Sequence, residues 1–164
     1  MTIDSMEKLF VDELRDLYSA ETQITKALPK LAKASSSNEL RAAFEHHLKE
    51  TEEQVKRLDQ IFETLGESPK GETCEGIKGV IEEGEKMLKA TQEGPVRDEA
   101  LISAAQRVEH YEMAGYGTVR TYAERLGKQQ VVQLLERTLQ EEKNADRKLT
   151  ECSNSVHRQV RRAA

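Results

Sequence analysis

The chain has 164 residues, of which 34% are charged and 4% aromatic, and its formal net charge is −5. This acidic balance argues against nucleic-acid binding, because no cationic stripe is present to neutralise phosphates. The first residues, MTIDSMEKLF, lack the features of a signal peptide, and no apolar run approaches the ~20 residues of a membrane span. We therefore expect a soluble, cytoplasmic, all-α protein with a single domain over residues 1–164.

Apolar residues recur at helical spacing through most of the chain, interrupted by short breaks that suit turns. Ser35–Ser37 offers a capping residue for a new helix, and Gly66 and Gly127 are typical helix ends. Pro29 stands inside the first pattern, which nevertheless resumes after it. The helices are predicted at about residues 5–34, 38–65, 76–91, 96–126 and 128–155.

The breaks predict how these helices are connected. Short turns join the first long helix to the second and the third to the fourth, so each pair forms an antiparallel hairpin. Residues 66–95 are long enough to cross the bundle and carry the short helix. This order predicts a ferritin-like antiparallel four-helix bundle with an extra helix in the crossover between long helices two and three. The basic tail from His157 is expected to be a solvated, frayed end.

Acidic residues occupy positions that helical spacing assigns to the interior. Glu21 is the one charged member of the apolar series in the first helix, and Glu142 has the same place in the last. Glu109 and Glu112 stand beside apolar positions on the third long helix. A buried carboxylate without a partner is costly, and it loses its charge, forms an ion pair or binds a metal.

The distances of these glutamates from the turns predict a common depth. Glu21 and Glu50 lie equally far from the first turn, and Glu112 and Glu142 equally far from the second. Each pair is about 15 residues, or roughly 22 Å, from its turn. Converging carboxylates would repel one another unless cations compensated them. The pattern predicts an oxygen-rich site for two metal ions per chain, and iron, manganese and zinc all suit its donors.

The ligand pattern departs from the usual two-metal motif, in which two helices each carry Glu-x-x-His. On the second helix His47 precedes Glu50, which reverses the order. Three residues after Glu142 stands Ala145, and Asp146 follows it. A second histidine is therefore missing, and we expect a site dominated by carboxylates.

Four segments resemble the YciE/YciF-like family of bacterial ferritin-like proteins. They are DELRDLYSAETQI (12–24), HLKETEEQVKRLD (47–59), VEHYEMAGYGT (108–118) and EEKNADRKL (141–149). The resemblance implies a homodimeric, rubrerythrin-like bundle that is associated with bacterial stress responses and has a di-iron site. Carried over by position, the candidate metal ligands are Glu21, His47, Glu50, Glu109, Glu112, Glu142 and Asp146.

Two functions remain open at this point. In the first, the protein is a redox metalloprotein, of ferroxidase or peroxidase type, whose iron pair reacts with oxygen or peroxide. In the second, it is a non-catalytic, stress-associated helical dimer with an empty or structural metal site. Cys74 and Cys152 form no metal-binding motif, and we expect both to be free thiols.

Overall fold

The computed structural model describes residues 2–163, and the side chains of residues 2–159. This part of the chain contains five α-helices and no β-strand, which confirms the all-α prediction. The helices are α1 (Met6–Ala34), α2 (Asn38–Leu65), α3 (Glu75–Ala90), α4 (Pro95–Arg125) and α5 (Gln129–Ala163). Within residues 2–163, no helix is both long and apolar enough to cross a lipid bilayer.

The helix ends follow from local chemistry. Ser37 caps α2, because its hydroxyl accepts a hydrogen bond from the Leu40 amide at 3.3 Å. Gly66 ends α2 with φ of +68°, a conformation that favours glycine. Pro29 lies on the exposed side of α1, and the helix continues past it to Ala34. Helices α1 to α4 begin and end within one residue of their predicted bounds.

The prediction that the last helix ends near Ser155 was wrong, since α5 remains helical to Ala163. Val156 explains the difference, because it is fully buried and packs in one apolar cluster with Leu149 and Cys152 on the same helix face. Burying a valine side chain stabilises a fold by roughly 1.5–3 kcal/mol. The basic tail is therefore a continuation of the helix and not a frayed end.

The four long helices pack side by side. Helix α1 contacts α2 and α4, and α5 contacts α4 and α2, so each long helix has two long neighbours. Helices α2 and α5 run in opposite directions, because Lys148 contacts Glu39 near the start of α2, whereas Glu141 contacts Arg57 near its end. The short helix α3 lies against α4 and α1.

Helix α3 is fixed at its start by Cys74. The Cys74 Sγ atom lies 2.9 Å from the Tyr111 hydroxyl of α4 and 3.1 Å from Asp16 Oδ2 of α1. Burial raises the pKa of the Cys74 thiol, with a further contribution from Asp16. Cys74 and Cys152 are both buried and free. Cys74 therefore anchors α3 to the long helices.

A polar layer divides the apolar core into two clusters. One cluster lies toward the turn between α1 and α2, and the other toward the turn between α4 and α5. Most buried polar residues of α2, α4 and α5 fall between the two clusters along the chain, and Glu21 of α1 stands at their boundary. Asp98 of α4 lies apart from this layer, where it accepts hydrogen bonds from the amides of Ser36 and Ser37. The buried polar residues of this layer are Glu21, His47, Thr51, Gln54, Glu109, Glu112 and Glu142.

Candidate metal centre

Four side chains of the polar layer form a compact group. They are His47 of α2, Glu109 and Glu112 of α4, and Glu142 of α5, and one potential ligand atom from each lies within 4.8 Å of the others. All four are buried, with at most 6% exposure for His47. Glu109 and Glu112 are one helical turn apart, which brings both carboxylates to the same side of α4.

Glu21 of α1 adjoins this group. Its side chain is completely buried, and it accepts a hydrogen bond from the hydroxyl of Tyr116. Its carboxyl group also adjoins that of Glu112. Tyr116 is absent from the predicted site, although its position four residues after Glu112 places it on the same helix face. Glu21 and the four-residue group are called the acidic cluster below.

Two of the predicted ligands lie outside the acidic cluster. Glu50 stands at its rim, with a side chain that is 25% exposed and an Oε2 atom 3.7 Å from His47 Nδ1. Asp146 accepts a hydrogen bond from Gln106 at 3.1 Å and lies 3.4 Å from His110 Nε2 at the surface. These contacts with α4 hold the Asp146 carboxylate near the surface, outside the acidic cluster.

Many polar atoms of the acidic cluster have no hydrogen-bond partner among the described residues. His47 Nε2 lies 3.1 Å from Glu109 Oε1, but the imidazole ring is not oriented to form a hydrogen bond with this oxygen. A buried polar group without a partner costs about 1–3 kcal/mol. The unpartnered atoms are Glu21 Oε2, His47 Nδ1 and Nε2, Glu109 Oε2, Glu112 Oε1 and Oε2, and Glu142 Oε2.

Burial and mutual repulsion hold protons in the acidic cluster. Burial raises the pKa of Glu21 to about 7, although hydrogen bonds to its carboxylate oppose this shift. The pKa values of Glu112 and Glu142 lie well above their ordinary range, because of burial first and neighbouring carboxylates second. Burial lowers the pKa of His47, but the neighbouring carboxylates of Glu109, Glu50 and Glu142 together outweigh it, and the net shift is well upward. Positive charge is therefore favoured at this position.

A second buried group adjoins the acidic cluster and is internally compensated. The guanidinium of Arg57 donates to both carboxylate oxygens of Glu141, at 2.9 and 3.1 Å. Gln54 bridges the two groups, because its amide donates to Glu141 at 3.2 Å and also to Glu142. Arg57 and its ion pair were not foreseen from the sequence. Gln54 lies seven residues, or two helical turns, after His47, a spacing that places both on one face.

Two separate openings reach His47 and Glu109. One is a polar opening of about 490 Å³ between α2 and α5, and its walls include His46, Glu50 and Asn144. The other is an apolar cavity of about 270 Å³ between α1, α3 and α4. The acidic cluster is thus buried, yet it is accessible from two sides of the bundle.

The sequence matches the family described as a domain of unknown function, DUF892, over residues 5–162. It is 45% identical to protein YciF of Escherichia coli strain K12 over 166 residues, which cover 100% of both chains. The crystal structure of the E. coli stress protein YciF superposes with a TM-score of 0.92 at 44% identity, covering 95% of this chain and 99% of that one. These matches confirm the resemblance that the four segments indicated.

Two further solved structures share the fold. YcfI from Rhodopseudomonas palustris has a TM-score of 0.88 at 44% identity, covering 90% of this chain and 94% of that one. A protein from Xanthomonas campestris has a TM-score of 0.74 at 22% identity, covering 93% of each chain. This last likeness concerns the fold alone.

Proposed function

This chain belongs to the DUF892 family, and from that premise we propose that it is a ferritin-like four-helix bundle that binds two iron ions in its acidic cluster. We further propose that it carries out redox chemistry with oxygen or peroxide in a bacterial stress response. Its relative YciF is described as a stress protein, which supports the stress association. The ring of four long helices and the short helix α3 in the crossover support a ferritin-like arrangement.

The observation that carries the metal proposal is the set of unpartnered ligand atoms in the polar layer. A protein core that served packing alone would place apolar side chains there, because each unpartnered polar group is costly. The donors are one imidazole and several carboxylates, which suit iron, manganese or zinc. Both oxygens of Glu112 lack a partner, as expected of a carboxylate shared by two ions.

The chain's residues would have distinct roles in such a centre. His47 would supply the nitrogen donor, and Glu21, Glu109, Glu112 and Glu142 would supply oxygen donors. Their protons would leave as metal binds, because ligands coordinate in the deprotonated form. Bound iron would supply one-electron redox chemistry toward oxygen or peroxide.

Residues around the ligands would hold them in position. The Tyr116 hydroxyl fixes one oxygen of Glu21, and the Gln54 amide fixes one oxygen of Glu142. Such outer hydrogen bonds tune metal affinity in other metalloproteins. Glu50 stands at the rim, where it would complete the ligand set or pass an ion inward through the polar opening. Asp146 is not included, since its carboxylate is engaged at the surface.

Metal titration tests this proposal. Metal-free protein titrated with Fe(II) under anaerobic conditions should bind about two ions per chain. The double variant Glu21→Ala with Glu142→Ala should lose this binding, whereas Glu52→Ala with Glu83→Ala, at two exposed positions, should keep it. Unchanged binding in the first double variant would remove the metal proposal. Elemental analysis of freshly purified protein would identify the metal.

A second candidate function is a non-catalytic dimer with an empty or structural site. YcfI supports this alternative, since a structural role has been suggested for that relative. Protons held by the raised pKa values of Glu112 and Glu142 would then offset the burial of charge. Thermal unfolding with Fe(II), Mn(II) and Zn(II) separates the candidates, because an ion that binds the native state raises the melting temperature. A melting temperature indifferent to all three would favour the empty site.

Homodimer formation is part of both candidates and rests on the family resemblance. The chain has a mass of 18.6 kDa. Light scattering coupled to size-exclusion chromatography should therefore give about twice that mass. A monomer, or a large shell, would contradict the dimer proposal.

A further inference from the structure

The apolar cavity between α1, α3 and α4 has no role in the proposed metal chemistry. Its volume is about 270 Å³, and α3 forms one of its walls. Protein interiors are close-packed and leave few voids larger than a water molecule. Apolar voids of sufficient size stay dry and accept apolar ligands. Among the residues that line it are Ile24, Leu28, Leu31, Val80, Leu88 and Val108.

The two ends of this cavity differ in charge. The residues at its mouth are Lys30, Glu85 and Lys89, and Lys30 Nζ contacts Glu85 Oε1 at 2.9 Å. The side chain of Lys30 is 65% exposed, so that its ammonium group is accessible to a ligand. The mouth therefore carries one excess positive charge. The inner end reaches His47 and Glu109 of the acidic cluster.

We propose that this cavity binds an aliphatic carboxylate of the fatty-acid class. The carboxylate lies at the mouth between Lys30 and Lys89, and the chain extends between α1, α3 and α4 toward His47. The apolar walls favour binding of the ligand's hydrocarbon chain, because burying apolar surface is the main source of affinity in such a site. The opposite orientation is disfavoured, since it would place a second carboxylate beside Glu109. A cationic amphiphile would be repelled at the mouth.

Binding of this ligand does not depend on the metal proposal, because the lysines at the mouth and the aliphatic walls lie outside the set of metal ligands, and only the inner end borders His47 and Glu109. The test therefore uses metal-free protein and a readout of binding alone. Isothermal titration with decanoate should show one site per chain, with decan-1-ol bound roughly ten-fold more weakly and decyltrimethylammonium not bound. Equal binding of decanoate and decan-1-ol would overturn the assignment of the head group to the lysines.

Two sets of variants locate the site. Ala27→Phe places a ring in the cavity and should abolish decanoate binding, whereas Ala114→Phe, at an exposed position on α4, should leave it unchanged. The double variant Lys30→Glu with Lys89→Glu reverses the charge of the mouth at exposed positions. It should weaken decanoate binding by at least roughly ten-fold and leave decan-1-ol binding unchanged, and Lys56→Glu serves as its control. Decanoate binding that survives Ala27→Phe or the charge reversal would overturn the proposal.

Discussion

Glu141 and Glu142 are consecutive residues of α5, yet they lie in regions of opposite electrostatic character. Burial acts to raise the pKa of Glu141, but the charge of Arg57 and the hydrogen bonds from Arg57, Gln54 and Arg137 together outweigh it, and the net shift is downward. Burial and the neighbouring Glu109 raise the pKa of Glu142 well above its ordinary range. Glu141 is paired with an arginine, whereas the cation nearest to Glu142 is His47, which also neighbours Glu109.

The difference distinguishes a structural ion pair from a candidate binding site. The Arg57–Glu141 pair is satisfied within the protein, and its properties should not respond to metal. The acidic cluster has unpartnered atoms and a preference for protons or cations, which come from solution. Its contribution to stability should therefore depend on pH and on metal.

Loss of Arg57 should have the largest effect on stability. Arg57→Met leaves the largely buried carboxylate of Glu141 with the more exposed Arg137 as its only cation, which should lower the free energy of unfolding by about 2–3 kcal/mol. Chemical denaturation measures this change, and the loss should be the same with and without metal. The double variant Arg57→Met with Glu141→Leu should recover most of it, because the poorly compensated charge is removed. If Arg57→Met lowered stability only in the presence of metal, the Arg57–Glu141 ion pair would not be independent of the acidic cluster.

The pH dependence of stability should distinguish the acidic cluster from the ion pair. The pKa of Glu21 is raised from 4.5 in the unfolded chain to about 7 in the folded protein. A raised pKa favours folding while the group is protonated, and this contribution is lost as pH rises from about 4.5 through about 7. The raised pKa of His47 acts in the same direction, since its protonated form is favoured in the folded state.

The free energy of unfolding of the metal-free protein should therefore fall by roughly 1–3 kcal/mol between pH 5 and pH 8. Urea denaturation across this range measures the slope. Glu21→Gln should flatten it, whereas Glu52→Gln at the surface should not. Saturating Zn(II) should reduce or reverse the slope, because metal binds the deprotonated ligands. A metal-free protein that became more stable at higher pH would contradict the assignment.

Removal of a single hydrogen bond should give the smallest effect. Tyr116→Phe removes the donor to Glu21, which should lower the free energy of unfolding by about 1 kcal/mol. Because that hydrogen bond lowers the pKa of Glu21, its loss should raise this pKa further. Metal affinity should fall by about 10- to 100-fold. Isothermal titration with Zn(II) measures the metal affinity, and Tyr122→Phe on the same helix serves as the control. An unchanged affinity in Tyr116→Phe would exclude Tyr116 as a positioning residue.

The sequence contained most of the information needed for the helices and for the core of the candidate site. Ser37 caps a helix start, and Gly66 and Gly127 adopt the left-handed conformation that ends a helix, so the helix bounds follow from these residues. Glu21 and Glu142 are detectable because each interrupts an otherwise apolar series. Residues that are equally far from the turn of an antiparallel helix pair stand at the same height, and this rule predicted a common depth for Glu112 and Glu142.

Other features depend on side-chain direction and length, which periodicity does not specify. Asp146 lies one turn beyond Glu142, a spacing that permits a shared face, but its carboxylate is engaged by Gln106 and His110 of α4. Arg57 reaches α5 through a long side chain, and its partner is not evident from spacing alone. The hydrophobic part of Tyr116 suits packing, and spacing alone does not indicate that its hydroxyl contacts Glu21. The end of α5 depends on a single buried residue, Val156, within an otherwise polar tail.

The polar layer also bears on how the protein unfolds. Two apolar clusters that meet across partly unsatisfied charge are coupled more weakly than one continuous core, so we expect the metal-free chain to open locally at this layer before it unfolds globally. Native-state hydrogen exchange should then be faster for the amides around Glu109 than for those around Leu14, and bound metal should remove the difference. If this holds and a metal binds here, proteases would degrade metal-free chains faster than metal-loaded ones, and the abundance of the protein would follow the supply of that metal.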